Sequence, residues 1–357
     1  MRKFMDNMSK IVPMSLWAYR LIGLFCVLCL VIFTAPAQGR GVGTSGSTAL
    51  KIGIGARATA MGEASVAVVD DVSSIYWNPA GLFQIRDSQI SAMHMEWLDD
   101  IRYEWLGYAQ PLASWATIAA DVSYVSMGSI ARTVESVTEG YEQDGTFAVS
   151  DLAGRVAVAG EVYKGIIAGA SFQVLKSRVD FEDVTKEAIE DKTAQSTAIN
   201  LGFLYNTPVP DLKVGCSFQN IGGQTVAFVK EKEPLPFGFR LGVGYEAEVT
   251  GRKPESAEGE EAEAAEPEAE KAIGILIAAM DLALYADSSS GLRMGLEYQF
   301  SNGISARGGY RTGTGLGFPS GLCGGAGYKT GTYQFDYAFV PYGDVGNTHR
   351  ISFTIRF

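Results

Sequence analysis

Histidine and cysteine are scarce in this chain of 357 residues, with two and four copies, and only 19% of the residues are charged. His94 and His349, without HExxH spacing or clustered cysteine, make a poor metal site and read as structural side chains. A hydrolase needs a Ser or Cys nucleophile with a His base, and no GxSxG-like elbow is present. The stretch Gly53-Ile54-Gly55-Ala56-Arg57-Ala58 formally fits a dinucleotide fingerprint, yet no βαβ unit with a ribose-binding acid surrounds it. The glycine-rich segment from Gly313 to Gly331 lacks the Gly-Lys-Ser/Thr of a phosphate-binding loop. Neither an enzyme nor a resident cofactor is expected.

Long apolar runs are missing too, but for one. LIGLFCVLCLVIF (Leu21 to Phe33) has thirteen residues, short of the roughly 20 that a membrane-spanning helix needs. It follows Arg2, Lys3, Lys10 and Arg20 and precedes Thr34 and Ala35-Pro36-Ala37, the layout of a secretory signal peptide over residues 1–37. Neither Cys26 nor Cys29 follows the small residues that a lipoprotein processing site requires. Cleavage leaves Cys216 and Cys323, which makes a disulfide scaffold or thiolate metal site improbable. It also moves the formal charge from −11 to about −14, because four basic groups and one acidic group leave. An acidic chain argues against nucleic acid as a partner.

What is abundant is glycine, 42 residues, together with 16 Tyr and 18 Phe. These biases run evenly from residue 85 onward, which favours one large all-β domain. Period-two alternation supports it: Ile351, Phe353, Ile355 and Phe357 oppose Arg350, Ser352, Thr354 and Arg356. Likewise Leu292, Met294, Leu296, Tyr298 and Phe300 oppose Arg293, Glu297 and Gln299, and Tyr333, Phe335, Tyr337 and Phe339 oppose Gln334 and Asp336. Leu212, Val214, Cys216 and Phe218 oppose Lys213, Ser217 and Gln219.

A soluble sandwich alternates in the same way, so the turns carry more weight. Strands read at 87–97, 102–112, 115–127, 147–160, 164–178, 195–207, 211–220, 236–249, 271–285, 291–300, 303–312, 320–330, 331–340 and 347–357 number fourteen. Even counts, with short turns at one rim and longer loops at the other, mark outer-membrane barrels. Long loops are expected at 128–146, 179–194 and 221–235. Residues 250–271, with eight Glu, break the rule: their composition cannot bury a core and reads as a solvated insertion or a docking site for a basic partner or cation. Trp97, Trp105 and Trp115 lie in or beside the first three strands, where a membrane interface takes aromatic rings and a sandwich takes core tryptophans.

A barrel of fourteen strands leaves a hole, and residues 38–82 are the natural filler, ahead of a barrel over residues 83–357. Ala56, Ala58, Ala60, Gly62, Ala64 and Ala67 are small enough to approach an inner wall closely. Asp70 and Asp71 are placed to cap a short helix beginning near Val72, which Pro79 stops, and Gly81 permits the turn into the first strand. Asp70, Asp71 and Asn78 are then either local caps and turn formers or parts of a gate for ligand passage.

The run MGEASVAVVDDVSSIYWNPAGL (Met61 to Leu82) resembles the N-terminal signature of the PorV/PorQ family of outer-membrane proteins and, more distantly, the FadL family of hydrophobic-compound transporters. Its motif residues here are Met61, Gly62, Ala64, Asp70, Asp71, Asn78, Pro79, Ala80 and Gly81. Further similarity lies in LPFGFRLGVGY (from Leu235), GLEYQF (from Gly295), RGGYRTG (from Arg307) and FDYAFVPYGDVGNTHRISF (from Phe335). Glu63 stands where a second glycine is common, with little consequence expected if its carboxylate faces solvent or the lumen. The resemblance implies an all-β, transmembrane, antiparallel up-and-down barrel of about 14 strands with an N-terminal plug in its lumen, located in the outer membrane. It implies either a role in secretion and surface attachment of proteins, with secreted cargo and type IX secretion components as partners, or transport of hydrophobic compounds. Phe357 resembles the terminal signal read by the barrel assembly machinery, and outer-membrane lipids are the surrounding partner. Arg293, Glu297, Gln299, Arg307, Arg350 and Arg356 form a polar inward-facing set, which leans away from a greasy conduit.

Overall fold

The computed structural model describes residues 45–97, 101–136, 140–184, 192–225, 233–250, 272–286, 290–313 and 320–357. The signal peptide expected over 1–37 and the acidic run after Thr250 lie outside the described residues. The strands are β1 (Gln89–Glu96), β2 (Arg102–Leu112), β3 (Ala116–Ser136), β4 (Gly140–Tyr163), β5 (Ile166–Glu182), β6 (Lys192–Asn206) and β7 (Leu212–Ile221). Then come the two-residue β8 (Gln224–Thr225) and β9 (Glu233–Pro234), followed by β10 (Gly238–Thr250), β11 (Ala272–Tyr285) and β12 (Gly291–Phe300). The last are β13 (Ile304–Arg311), β14 (Leu322–Lys329), β15 (Tyr333–Pro341) and β16 (Asn347–Arg356). Fourteen of them close into one barrel in chain order, with β7 beside β10 and β16 beside β1, while β8 and β9 form a separate small sheet. Neighbours are antiparallel, and eight residue pairs, from Gln89↔Arg356 to Glu96↔His349, shut the seam.

The pleat sends alternate residues to opposite faces, and burial shows which face is which. Along β16 Ile351 is 51% exposed while Arg350 is 0% exposed, and along β12 Leu296 is 57% exposed beside fully buried Glu297. A water-soluble sandwich has the reverse pattern. Apolar residues outside and charges inside belong to a barrel whose solvent is lipid. Among the described residues no helix is long and apolar enough to cross a membrane.

The fourteen barrel strands fall where alternation places them, with one substantial departure. Residues 128–146, expected as a loop, are mostly strand, because β3 and β4 run 21 and 24 residues. Beyond the membrane both faces of a hairpin meet water, so the apolar period vanishes while the hydrogen-bond ladder continues. A register shift between Ser126 and Ser129 marks the change, with Gly128 at φ 67. β5, at 17 residues, shares this projecting wall. The projection lies on the rim opposite the chain end, where the Phe357 amide donates to Ser88 O at 3.0 Å.

Candidate functional site in the lumen

Residues 52–85 run inside the ring, touching its strands in turn. The Ala56 amide donates to Ser352 Oγ on β16 at 2.9 Å, and the amides of Ser65 and Val66 donate to Asp281 Oδ2 on β11 at 2.8 and 3.0 Å. Asn78 Nδ2 reaches Phe203 O on β6 at 3.0 Å. Glycines on the wall make this approach feasible. A Cβ on Gly325 of β14 would lie 2.6 Å from Ala60 Cβ, one on Gly295 of β12 2.8 Å from Met61 Cβ, and one on Gly309 of β13 2.7 Å from Gly62 Cα. On β7 a Cβ at Gly215 would meet Val66 O at 2.5 Å, and on β5 one at Gly169 would meet Pro79 O at 2.6 Å. Real Cβ atoms do not approach so closely, so the seat is built from missing side chains on the wall as much as from small residues on the segment.

Local chemistry folds the segment. Helix α1 (Ala56–Ala60) ends in a Schellman motif: the Glu63 amide donates to Ala58 O at 2.9 Å and the Gly62 amide to Thr59 O at 3.0 Å, with Gly62 left-handed at φ 64. Met61 and Ala64 are buried and pack with Val68, Ile277 and Ala279. Helix α2 (Ser74–Trp77) starts later than the Val72 expected from sequence. Asp71 supports its start, accepting from the Ser73 amide at 2.8 Å and from Ser73 Oγ at 2.5 Å, whereas Asp70 is drawn off to pair with Arg57. Asn78, extended at φ −157 before Pro79, closes α2 and caps the 3-10 turn Pro79–Gln84 by accepting from the Ala80 amide at 3.1 Å. Its Nδ2 also donates to Val66 O at 2.7 Å, so one buried amide ties the segment to itself and to the wall. Gly81 makes no turn into the first strand: it lies inside the 3-10 turn, and a Cβ there would sit 2.5 Å from Val69 O.

The charged groups form two clusters. In one, Glu63 Oε1 accepts from Arg311 Nη1 at 3.1 Å, and its Oε2 lies 3.5 Å from Arg240 Nη2 and 3.7 Å from Arg293 Nε. Burial works to raise the Glu63 carboxyl, but Arg311, Arg293 and Arg240 outweigh it and hold the group at about 2. Glu63 does face the lumen, yet the expectation of little consequence fails, since three wall strands converge on it. In the other, Arg57 Nε donates to Glu297 Oε2 at 2.8 Å, Arg307 Nε to Glu297 Oε1 at 2.8 Å and Arg307 Nη1 to Asp336 Oδ1 at 2.7 Å. Burial pushes the Asp71 carboxyl up against the pull of Arg57. This second cluster borders a cavity of about 550 Å³ at the rim that carries the chain end, lined by Arg57, Asp70, Asp71, Gln299, Lys329 and Arg356 among others.

The lumen has a second character on its other side. Met93 and Met95 of β1, Tyr103 and Trp105 of β2, and Ala119 and Val125 of β3 pack against Ile54, Val72, Ile75 and Trp77 of the segment. The polar set read from sequence describes the β12–β16 wall; the β1–β4 wall carries this apolar patch among buried polar residues that include Gln89, Asp121, Ser123 and Arg155. Trp105 accordingly does not sit at a membrane interface: it is buried, and its Nε1 donates to Asp121 Oδ2 at 2.7 Å. Asp121 in turn accepts from Arg155 Nε at 2.9 Å. Trp115 is 68% exposed in the β2–β3 turn, and Trp97 packs beside Tyr342 with ring centroids 6.2 Å apart. His94 and His349 lie on the outer face of neighbouring strands, two residues apart in the β1–β16 register, and pair with Glu104 and Tyr337 respectively. Among the described residues no group of acidic, His or Cys side chains is placed to hold a metal. Arg57, Arg240 and Asp281 escaped sequence reading, although Asp281 was visible as a lone acid in the apolar run of β11.

A closed fourteen-stranded antiparallel barrel with apolar residues outward and charges inward has the architecture of an outer-membrane β-barrel. Residues 33–234 match the model of a family described as Uncharacterised protein family (UPF0164), and the chain belongs to that family. Comparison with curated protein sequences returns no match. Among solved structures, the Ralstonia pickettii toluene transporter TbuX is similar at 14% identity and a TM-score of 0.55, over 85% of this chain and 98% of that one. The Pseudomonas putida toluene transporter TodX gives 11% identity and a TM-score of 0.53, over 85% and 99%. The CymD monoaromatic hydrocarbon channel gives 13% and 0.53, over 85% and 98%. At these identities the likeness is one of fold.

Proposed function

We propose that the protein is an outer-membrane channel for small apolar compounds, obstructed by residues 52–85 until that segment shifts. The observation that carries this reading is the apolar patch of Met93, Met95, Tyr103 and Trp105, which packs against Ile54, Val72, Ile75 and Trp77 of the segment. Movement of Ile54, Val72, Ile75 and Trp77 would open an apolar face along β1–β3, and a passing solute would be held there by burial rather than by hydrogen bonds. The fold shared with toluene and monoaromatic hydrocarbon channels agrees with this reading. Purified protein in lipid vesicles is expected to speed equilibration of an aromatic hydrocarbon across the membrane, but not that of a disaccharide. Rates equal to those of empty vesicles would refute it.

A second reading, an accessory of protein secretion like the PorV proteins that the sequence resembles, is favoured by the projecting wall of β3, β4 and β5. Ile130 and Tyr141, 39% and 71% exposed, stand on it as contacts for a protein. In this reading Phe357 serves recognition by the barrel assembly machinery. Mass spectrometry of gently purified protein separates the two: secreted proteins sharing a C-terminal domain favour secretion, and bound aromatic or aliphatic compounds favour transport.

A further inference from the structure

The wall around Glu63 holds more positive charge than that residue can use. Arg240 and Arg350 are fully buried, and Arg293 and Arg311 are only 7% and 5% exposed. Arg350 joins the group through Gly53, whose carbonyl accepts from its Nη1 at 2.7 Å, while a Cβ on Gly53 would lie 3.6 Å from Glu63 Oε1. Asp281, the acid that the wall contributes nearby, accepts from the amides of Ser65 and Val66 through its Oδ2, while its Oδ1 is buried without a hydrogen-bond partner and reaches none of the arginines. Arg240 Nε, Arg293 Nε and both Nε and Nη2 of Arg311 and of Arg350 are buried without a hydrogen-bond partner. The Nε–Nη2 edge of a guanidinium is the one that receives a planar oxyanion through two parallel bonds, and two such edges are unused here. Glu63 itself is held in the left-handed region at φ 66, where a side chain is disfavoured and glycine is at ease. A carboxylate is thus kept at a position that the backbone would cede to glycine.

We propose that Arg240, Arg293, Arg311 and Arg350 form an oxyanion site of the barrel wall, suited to the carboxylate or phosphate group of a solute, and that Glu63 is its tethered occupant. An arriving oxyanion competes with Glu63 and loosens the segment that carries it. The site stands on the charged wall and does not depend on apolar transport along β1–β3.

The test uses the full chain in detergent and its Glu63→Gly variant, which vacates the site and relieves the left-handed backbone. At constant ionic strength set with chloride, acetate or phosphate is expected to raise the thermal midpoint of Glu63→Gly saturably, with half-saturation at least tenfold below that of the unaltered protein. Trp77, whose ring centroid lies 4.7 Å from the Arg240 guanidinium, is expected to report the same titration by fluorescence. A stronger response to acetate assigns the site to carboxylates, and a stronger response to phosphate assigns it to phosphates. The proposal is overturned if both oxyanions act no better than chloride, or if adding Arg311→Gln leaves the response intact. Should Glu63→Gly fold poorly, recovery of refolding yield by acetate or phosphate supports the site, and no recovery overturns it.

Discussion

Asn78 and Gly202 occupy one point of the lumen and should be energetically coupled. Asn78 is fully buried and makes hydrogen bonds to Val66 O, Phe203 O and the Ala80 amide at 2.7, 3.0 and 3.1 Å. Replacing it with alanine leaves three buried partners short of a bond, at about 1–3 kcal/mol for each unsatisfied group, so a loss of about 3–5 kcal/mol is expected after partial relaxation. A methyl on Gly202 would collide with Asn78 Oδ1 and would come within 2.8 Å of Pro79 Cδ and 2.9 Å of the Ala80 nitrogen. Gly202→Ala alone therefore costs about 1–3 kcal/mol of overpacking, offset by about 0.5–1 kcal/mol because alanine loses less entropy than glycine on folding. That entropy gain is the same in either background and cancels in a double-mutant cycle. With Asn78 already alanine the worst collision is gone while the Pro79 and Ala80 contacts remain, so the double variant should be about 1–2 kcal/mol more stable than the sum of the singles. Guanidinium unfolding in detergent, followed by tryptophan fluorescence, gives the four free energies. Additivity within about 0.5 kcal/mol would refute the seating of Asn78 against β6.

Two further outcomes follow from the lumen. The Glu63 carboxyl falls from its usual 4.5 to about 2 in the folded chain, so its stabilising contribution is complete above about pH 4.5 and is lost as pH falls through about 2. Thermal midpoints of the unaltered protein should drop more steeply over that window than those of Glu63→Gln, and parallel curves would count against the pairing with the arginines. In vesicles of brominated lipid, fluorescence quenching should fall sharply in Trp115→Phe and hardly change in Trp105→Phe, since one ring is exposed at a rim and the other is bound to Asp121 inside. Equal losses would place Trp105 outside after all.

The barrel was legible because lipid on one side and a polar interior on the other impose a strict period of two. Where lipid ends, as at Ser129–Ser136 of β3 and Gly140–Gln143 of β4, that constraint lapses, and the sequence pattern reads as loop where the ladder continues. The motif from Met61 to Gly81 stood out by composition, but its partners did not. Glu63 meets Arg240 and Arg311 across 177 and 248 residues of sequence, a pairing set only when the ring closes. The apolar wall was hidden for a similar reason: Met93, Met95 and Trp105 alternate like any half-buried strand, and only the segment opposite them shows what they face. The wall glycines were visible as a high count, but nothing in the sequence says which of them look inward.

Those glycines bear on how the molecule is made. Backbone seated against bare Cα atoms of β5, β7, β12, β13 and β14 is fitted by shape, and a finished ring offers no sideways entry for it. With the ring shut by the eight residue pairs joining β1 to β16, the segment reaches that seat either along the barrel axis or before the seam forms. Filling the interior is thus part of making the barrel, and an altered seat such as Gly309→Val, whose Cβ would meet Gly62 Cα at 2.7 Å, is expected to lower the yield of folded barrel as well as to alter passage.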